Sequence, residues 1–223
     1  MSYLTLAELR RDTPQARDQA RQAAISAHRD AGHRLIWSLF NDDPGAKRDF
    51  LYRTTADNRF LIVSARPPRA AEAVWRLKTK AYAPDLTAGQ RLGFSLRANP
   101  SVALSQPDRR RSKRLDIFQY HKLASPGPID PQTREDIALE WLAGKLAPLG
   151  ATVDRTLSQL AGHTQLRLDG KKALLTAIDI EGVLTVTAPG SFVPALTEGI
   201  GHGKAFGLGL ILLRPLGPPA RSP

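Results

Sequence analysis

The first regular pattern in the chain is Tyr3-Leu4-Thr5-Leu6-Ala7-Glu8-Leu9, where leucines at near-alternate positions predict a strand. Residues 12–27 are polar and rich in Ala, Arg and Gln, and read as a helix or a solvated loop. From His33 to Phe40 the period changes. Leu35, Ile36, Leu39 and Phe40 recur at helical spacing and define one buried face. His33 falls about 90° from the centre of that face, and Trp37 lies one turn on. Asn41 to Gly45 supplies turn residues. Residues 49–53 and 60–64 then read as a hairpin joined through 54–59. After Pro67-Pro68, a short helix is expected around residues 70–74 and a strand with alternating basic residues over 76–82. The order β-α-β-β-α-β is the ferredoxin-like arrangement.

Residues 84–89 form a natural linker, and the order then repeats. Leu92, Phe94 and Leu96 alternate with Gly93, Ser95 and Arg97 in a strand continuing toward Leu104. A basic run follows, Arg109-Arg110-Arg111-Ser112-Lys113-Arg114, with residues 115–120 as the returning strand. Asp130 and Pro131 make an N-cap and first-turn pair. They open a helix with Ile137, Ala138, Trp141, Leu142 and Leu146 inward, closed by Gly150. Residues 152–160 and 165–168 are weaker strand candidates. Residues 174–180 and 183–187 form one long strand, or two broken at Glu181-Gly182. A helix over 191–200 places Val193, Leu196 and Ile200 on one face, and a strand running to Leu216 precedes a disordered tail at 217–223. The expected fold is α+β, two tandem ferredoxin-like domains, the first spanning 1–86 and the second 87–223.

Composition narrows the chemistry. The 223 residues include no cysteine, which excludes disulfides, thiolate metal sites and cysteine nucleophiles. None of the five histidines forms an HxxxH or HExxH pair, so neither a metal nor another cofactor is expected. No apolar run reaches the roughly 18 residues of a membrane span. The first twenty residues, with Glu8 and Asp12, do not read as a signal peptide, so a cytoplasmic protein without a membrane partner is expected. The net charge of +11 points to a polyanion, most often nucleic acid. Aromatic residues make up only 6%, so base stacking along an open sheet is disfavoured, and recognition of a folded RNA by phosphate and shape fits better. The run from Arg109 to Arg114 would then be a hairpin tip lying along RNA phosphates, and Arg97 a further contact.

Five of the seventeen glycines fall between Gly199 and Leu213. Glycine permits positive φ and close backbone approach, so Gly201, His202, Gly203 and Lys204 could place amides and side-chain donors against a phosphate. The bland reading is a tight helix-to-strand turn with an incidental lysine. A P-loop is excluded, because Ala205 follows Lys204 and the segment runs into a strand.

Several stretches together resemble one family. His33-Arg34-Leu35-Ile36-Trp37-Ser38-Leu39-Phe40, followed by Ala46-Lys47-Arg48-Asp49-Phe50-Leu51-Tyr52, is similar to a signature of the CasE endoribonucleases. Leu77 to Lys80, Leu96 to Pro100, Glu181 to Thr185 and Gly199 to Leu213 match it in the same order. That resemblance implies tandem ferredoxin-like domains and metal-independent cleavage of CRISPR repeat RNA at the 3′ base of its stem-loop. The 2′-hydroxyl would attack the adjacent phosphate, giving a 2′,3′-cyclic phosphate or its opened product. It places His33 as general acid or base and Lys204 near the scissile phosphate, with the product held among the other subunits of the Cascade complex. An imidazole with a pKa of about 6.5 suits such a step. The family often carries Tyr three residues before the histidine; this chain has Asp30, whose carboxylate would raise the His33 pKa and orient the ring, or repel phosphate. The role of that Tyr would then be missing, altered, or supplied by His28 or another group. Two other readings are a non-catalytic subunit anchoring an RNA hairpin, which Asp30 favours, and a ribosome-associated RNA binder.

Overall fold

A computed structural model describes residues 1–18, 30–40, 48–56, 58–69, 72–104, 113–167 and 174–216, with backbone alone at 30, 31, 113 and 167. Residues 19–27 of the 12–27 stretch, His28, the Asn41 to Gly45 turn, Ala46, Lys47, Arg109 to Ser112 and the 217–223 tail therefore lie outside the described residues, as do the side chains of Asp30 and Lys113.

Strand β1 (Ser2–Leu9) pairs antiparallel with β3 (Arg59–Ser64) on one side and β4 (Trp75–Tyr82) on the other. The outer strand β2 (Phe50–Ala56) closes the sheet in the order β2-β3-β1-β4. Residues 14–18 are helical (α1), and α2 (Asp30–Trp37) continues as a 3-10 turn, Ser38–Phe40. The helical face read from the sequence is the buried one: Ile36, Leu39 and Phe40 pack on Ala7, Phe50, Tyr52, Ile62 and Trp75. The helix expected at 70–74 is not found where described: residues 70 and 71 lie outside, and 72–74 form a turn. Pro68 restricts the residue before it to extended backbone, so the chain enters this segment extended. Arg69 instead bonds its amide to the Leu39 carbonyl at 2.8 Å.

The second sheet has the order β10-β5-β9-β8, from β5 (Arg91–Ala98), β8 (Ala151–Arg167), β9 (Leu174–Val186) and β10 (Ile211–Pro215). Both sheets thus have the 4-1-3-2 order of a ferredoxin-like fold. An antiparallel hairpin, β6 (Ser101–Leu104) with β7 (Lys113–Asp116), interrupts the second after β5. Residues 117–120, expected as strand, begin helix α3 (Ile117–Ala124), because the Asp116 carboxylate accepts from the amides of Phe118 (2.7 Å) and Gln119 (3.2 Å) and caps it. Helix α4 (Pro131–Leu146) starts as expected, with Asp130 accepting from the Thr133 amide at 2.9 Å. Helix α5 (Pro189–Glu198) buries Phe192, Ala195 and Leu196; Leu196 and Ile200 are buried as read, whereas Val193 is only half-buried.

The two weak candidates at 152–168 belong to the single strand β8. Its register against β9 slips between Asp154 and Gln159 and again between Leu160 and Gly162, which removes the period-two pattern a strand normally carries. Gly182 continues β9 where a break was one option. A Cβ there would stand 2.4 Å from Ser158 Cβ, so the missing side chain gives the bulge room.

The sheets meet through Leu51, Val63 and Leu210, with Leu4, Tyr82 and Leu212 around them. β2 packs on α5 and on a 3-10 turn, Lys204–Phe206.

Candidate functional site

His33 sits in the first turn of α2 and is half-buried. Its ring lies 5.7 Å from Trp37 and 6.2 Å from Phe50, centroid to centroid, so two aromatics fix its orientation. Phe50 in turn stacks on Phe40 at 4.7 Å. The imidazole is held by packing on a helix start rather than carried on a free loop.

Across from α2 runs the Gly-rich loop. All five of its glycines have φ between 73° and 90°, the left-handed region. The loop is pinned at its base: the Ile200 amide donates to Gly209 O at 2.8 Å, and the Gly209 amide to Arg97 O at 2.7 Å. The amides at the two ends of the loop, Ile200 and Gly209, are thus engaged within the protein. A Cβ on Gly209 would stand 2.7 Å from the Ile200 carbonyl oxygen at φ 90°. Gly209→Ala is therefore expected to cost about 2 kcal/mol, read as a lowered urea midpoint.

Lys204 lies in the 3-10 turn that packs against α2. It lines a hollow of about 460 Å³ with Arg48, Asp49, Phe50, Ser64 and Glu198. Phe50 is common to both neighbourhoods, against His33 and on the wall with Lys204. The helix that carries His33 and the turn that carries Lys204 are thus neighbours, although the two residues lie 171 positions apart in sequence.

His202 is exposed and bridges backbone to backbone with Asn99. Its pKa lies below the ordinary histidine value, first because partial burial disfavours the cation, then because Arg114, Lys145 and Lys204 repel added positive charge. This locates a cationic patch shared by the end of β7, the last turn of α4 and the Gly-rich loop. Lys145 was missed in the sequence, where it reads as an ordinary helix-end cation; its only signal was a place in the last turn of α4. Gly201 packs over Trp141 and Gly203 beside Leu208, so close backbone approach fixes both. Arg109, Arg110 and Arg111 lie outside the described residues, as does the Lys113 side chain.

Arg97 is engaged inside the protein: its Nη1 donates to Asp179 Oδ2 at 2.9 Å. Arg53 of β2 reaches the same carboxylate at 3.6 Å and donates to Ser95 Oγ at 2.9 Å, linking the two sheets. Burial lowers the Arg53 pKa, and Asp179 opposes that shift. A cleft of about 500 Å³ beside Arg97 is lined by Gly32, Tyr52, Thr54, Phe206 and Gly207. Tyr52 and Phe206 were not singled out in the sequence. Among the described residues, no cluster of His, Asp and Glu could hold a metal, and no helix is long and apolar enough to cross a membrane.

Known proteins share this fold. The CRISPR system Cascade subunit CasE of Escherichia coli strain K12 is 29% identical over 190 residues, covering 82% of this chain and 90% of the relative. A solved structure of CRISPR endoribonuclease Cse3 bound to 19 nt RNA superposes with a TM-score of 0.74 at 25% identity, covering 96% of this chain and 98% of that one. Thermus thermophilus Cse3 bound to an RNA representing a pre-cleavage complex gives 0.71 at 25% identity, over 96% and 99%. These relatives are of the kind that the sequence motifs resemble. The CRISPR associated protein family matches residues 2–215, and the chain belongs to that family.

Proposed function

We propose that this chain is an endoribonuclease that matures CRISPR repeat RNA, cutting at the 3′ base of the repeat stem-loop and remaining on the product within a Cascade assembly in the cytoplasm. The observation that carries this reading is the packing of α2, which bears His33, against the 3-10 turn that bears Lys204. The similarity to Cse3 proteins solved with RNA, and to a Cascade subunit, supports the substrate class and the partners. In this reading the N-terminal domain, residues 1–86, supplies the histidine. The domain from 87 to 223 supplies the lysine and most of the cationic surface.

The chemistry balances with groups of the RNA and two proton transfers. The 2′-oxygen bonds to the adjacent phosphorus as a base removes its proton. The P–O5′ bond breaks, and an acid protonates the departing 5′-oxygen. His33 serves one of these transfers. Lys204 stabilises the charge that grows on the phosphoryl oxygens. Arg114, Lys145, His202 and the basic hairpin hold the stem by its phosphates.

The deciding experiment incubates the protein with its host's own repeat hairpin in EDTA. The expected result is one cut, with a 2′,3′-cyclic phosphate on the upstream fragment. Tight binding with no cut would favour the non-catalytic anchoring reading instead. Equal affinity for unrelated hairpins would sink both.

His202 adds a pH dependence. Its pKa is depressed in the free protein, so the residue is neutral at neutral pH and gains a proton only below the ordinary histidine range. In folding terms, this lost affinity for protons removes stability as pH falls through the unfolded value of about 6.5. A bound phosphate reverses the sign, because it favours the cation. Hairpin affinity is expected to rise as pH falls from about 8 to about 5. His202→Gln should flatten that rise, measured by filter binding at fixed salt.

A further inference from the structure

Tyr52 stands where the two halves of the proposed site meet, and nothing in the reading above uses it. Its ring is 3% exposed. Its hydroxyl donates to the carbonyl oxygen of Ala205 at 3.0 Å, next to Lys204 in the chain. On the loop side a Cβ at Gly207 would stand 3.0 Å from the ring. On the helix side a Cβ at Gly32, beside His33, would stand 3.3 Å from the hydroxyl oxygen. Gly32 is otherwise a poor choice in a helix, where glycine costs backbone entropy. Its lack of a side chain lets α2 close on the tyrosine. The ring thus has the histidine-bearing helix on one side and the lysine-bearing loop on the other.

Resting on the ribonuclease reading, we propose that Tyr52 is a positioning residue that sets the spacing between the helix start carrying His33 and the loop carrying Lys204. It contacts the RNA at neither point. It acts by fixing the Ala205 carbonyl, and through it the backbone of the 3-10 turn, against β2. A displacement of that turn would move the cation relative to the imidazole while leaving the phosphate-binding surface whole. Small misplacements of this kind cost rate rather than affinity.

Tyr52→Phe removes the hydroxyl and leaves the ring. Single-turnover cleavage of the repeat hairpin is expected to slow about tenfold with an unchanged Kd. Amide exchange over residues 203–207 should quicken while β1 and β3 stay protected. Gly32→Ala crowds the same hydroxyl from the helix side and should also slow cleavage. The double variant should be no slower than the slower single one, since both act through one contact. A Tyr52→Phe rate equal to wild type would overturn the proposal. So would a parallel loss of rate and affinity, or additive effects in the pair. If wild type itself does not cut, the ribonuclease reading fails and the kinetic half of the proposal with it. Exchange over 203–207 would then decide whether Tyr52 holds the loop.

Discussion

Replacing His33 with alanine is expected to slow single-turnover cleavage of the repeat hairpin by about 10²–10⁴-fold, the range a positioned acid or base supplies. Affinity should be almost unchanged, because binding to a stem is dominated by phosphate contacts spread over the cationic surface. Alanine also removes the ring that packs on Trp37 and Phe50, so loss of rate alone would not separate chemistry from packing. His33→Phe makes that separation. It keeps an aromatic ring in the cluster and transfers no proton. Both variants should fold with near wild-type thermal midpoints, bind, and fail to cut. If His33→Phe cuts at the wild-type rate, the histidine is a packing residue and the proton transfers belong elsewhere, with His202 the next candidate.

The second large effect is on stability. Asp179 partners Arg97 across the β5–β9 pair and also faces Arg53 from the other sheet. The side chains of Arg53 and Asp179 are only 14% and 20% exposed, so neither charge is well hydrated. Asp179→Asn keeps the volume but leaves Arg53 half-desolvated, with Arg97 as a like-charged neighbour. Removing one partner of a buried pair costs about 3–5 kcal/mol, and partial exposure puts the expected loss near the low end, about 3 kcal/mol. For a chain of this size that corresponds to a thermal midpoint lower by about 6–12 °C. Arg97 contributes less, being 33% exposed and better screened. Arg97→Gln should therefore lower the midpoint by much less than Asp179→Asn. Equal losses would show that the Arg53 contact carries no energy.

What the sequence makes legible follows from where its periodicity is clean. The alternation in β1 and β5 and the helical faces of α2 and α4 could be read, because each element buries one face against a single layer. β8 could not, since its two register slips shift which side chains point inward. The start of α3 was hidden because Asp116 follows directly on strand residues and its capping role is visible only in three dimensions. The same limit applies at the site. His33 and Lys204 stood out by residue type and surrounding motif. Lys145 and Tyr52 did not, because a helix-end lysine and a strand tyrosine are ordinary until the fold brings them to the loop.

The hydrogen bond from Tyr52 to Ala205 joins residues 153 apart in the chain. On the ribosome, α2, β2 and the first sheet can form long before the loop that faces them has been synthesised. On the proposed reading, a chain at that stage would carry the histidine-bearing helix with no opposing lysine. Cutting, on the same reading, is expected only once the Gly-rich loop has emerged and β10 has paired with β5. Any fragment ending before Gly199 is expected to be inert toward repeat RNA, however well its first sheet is folded.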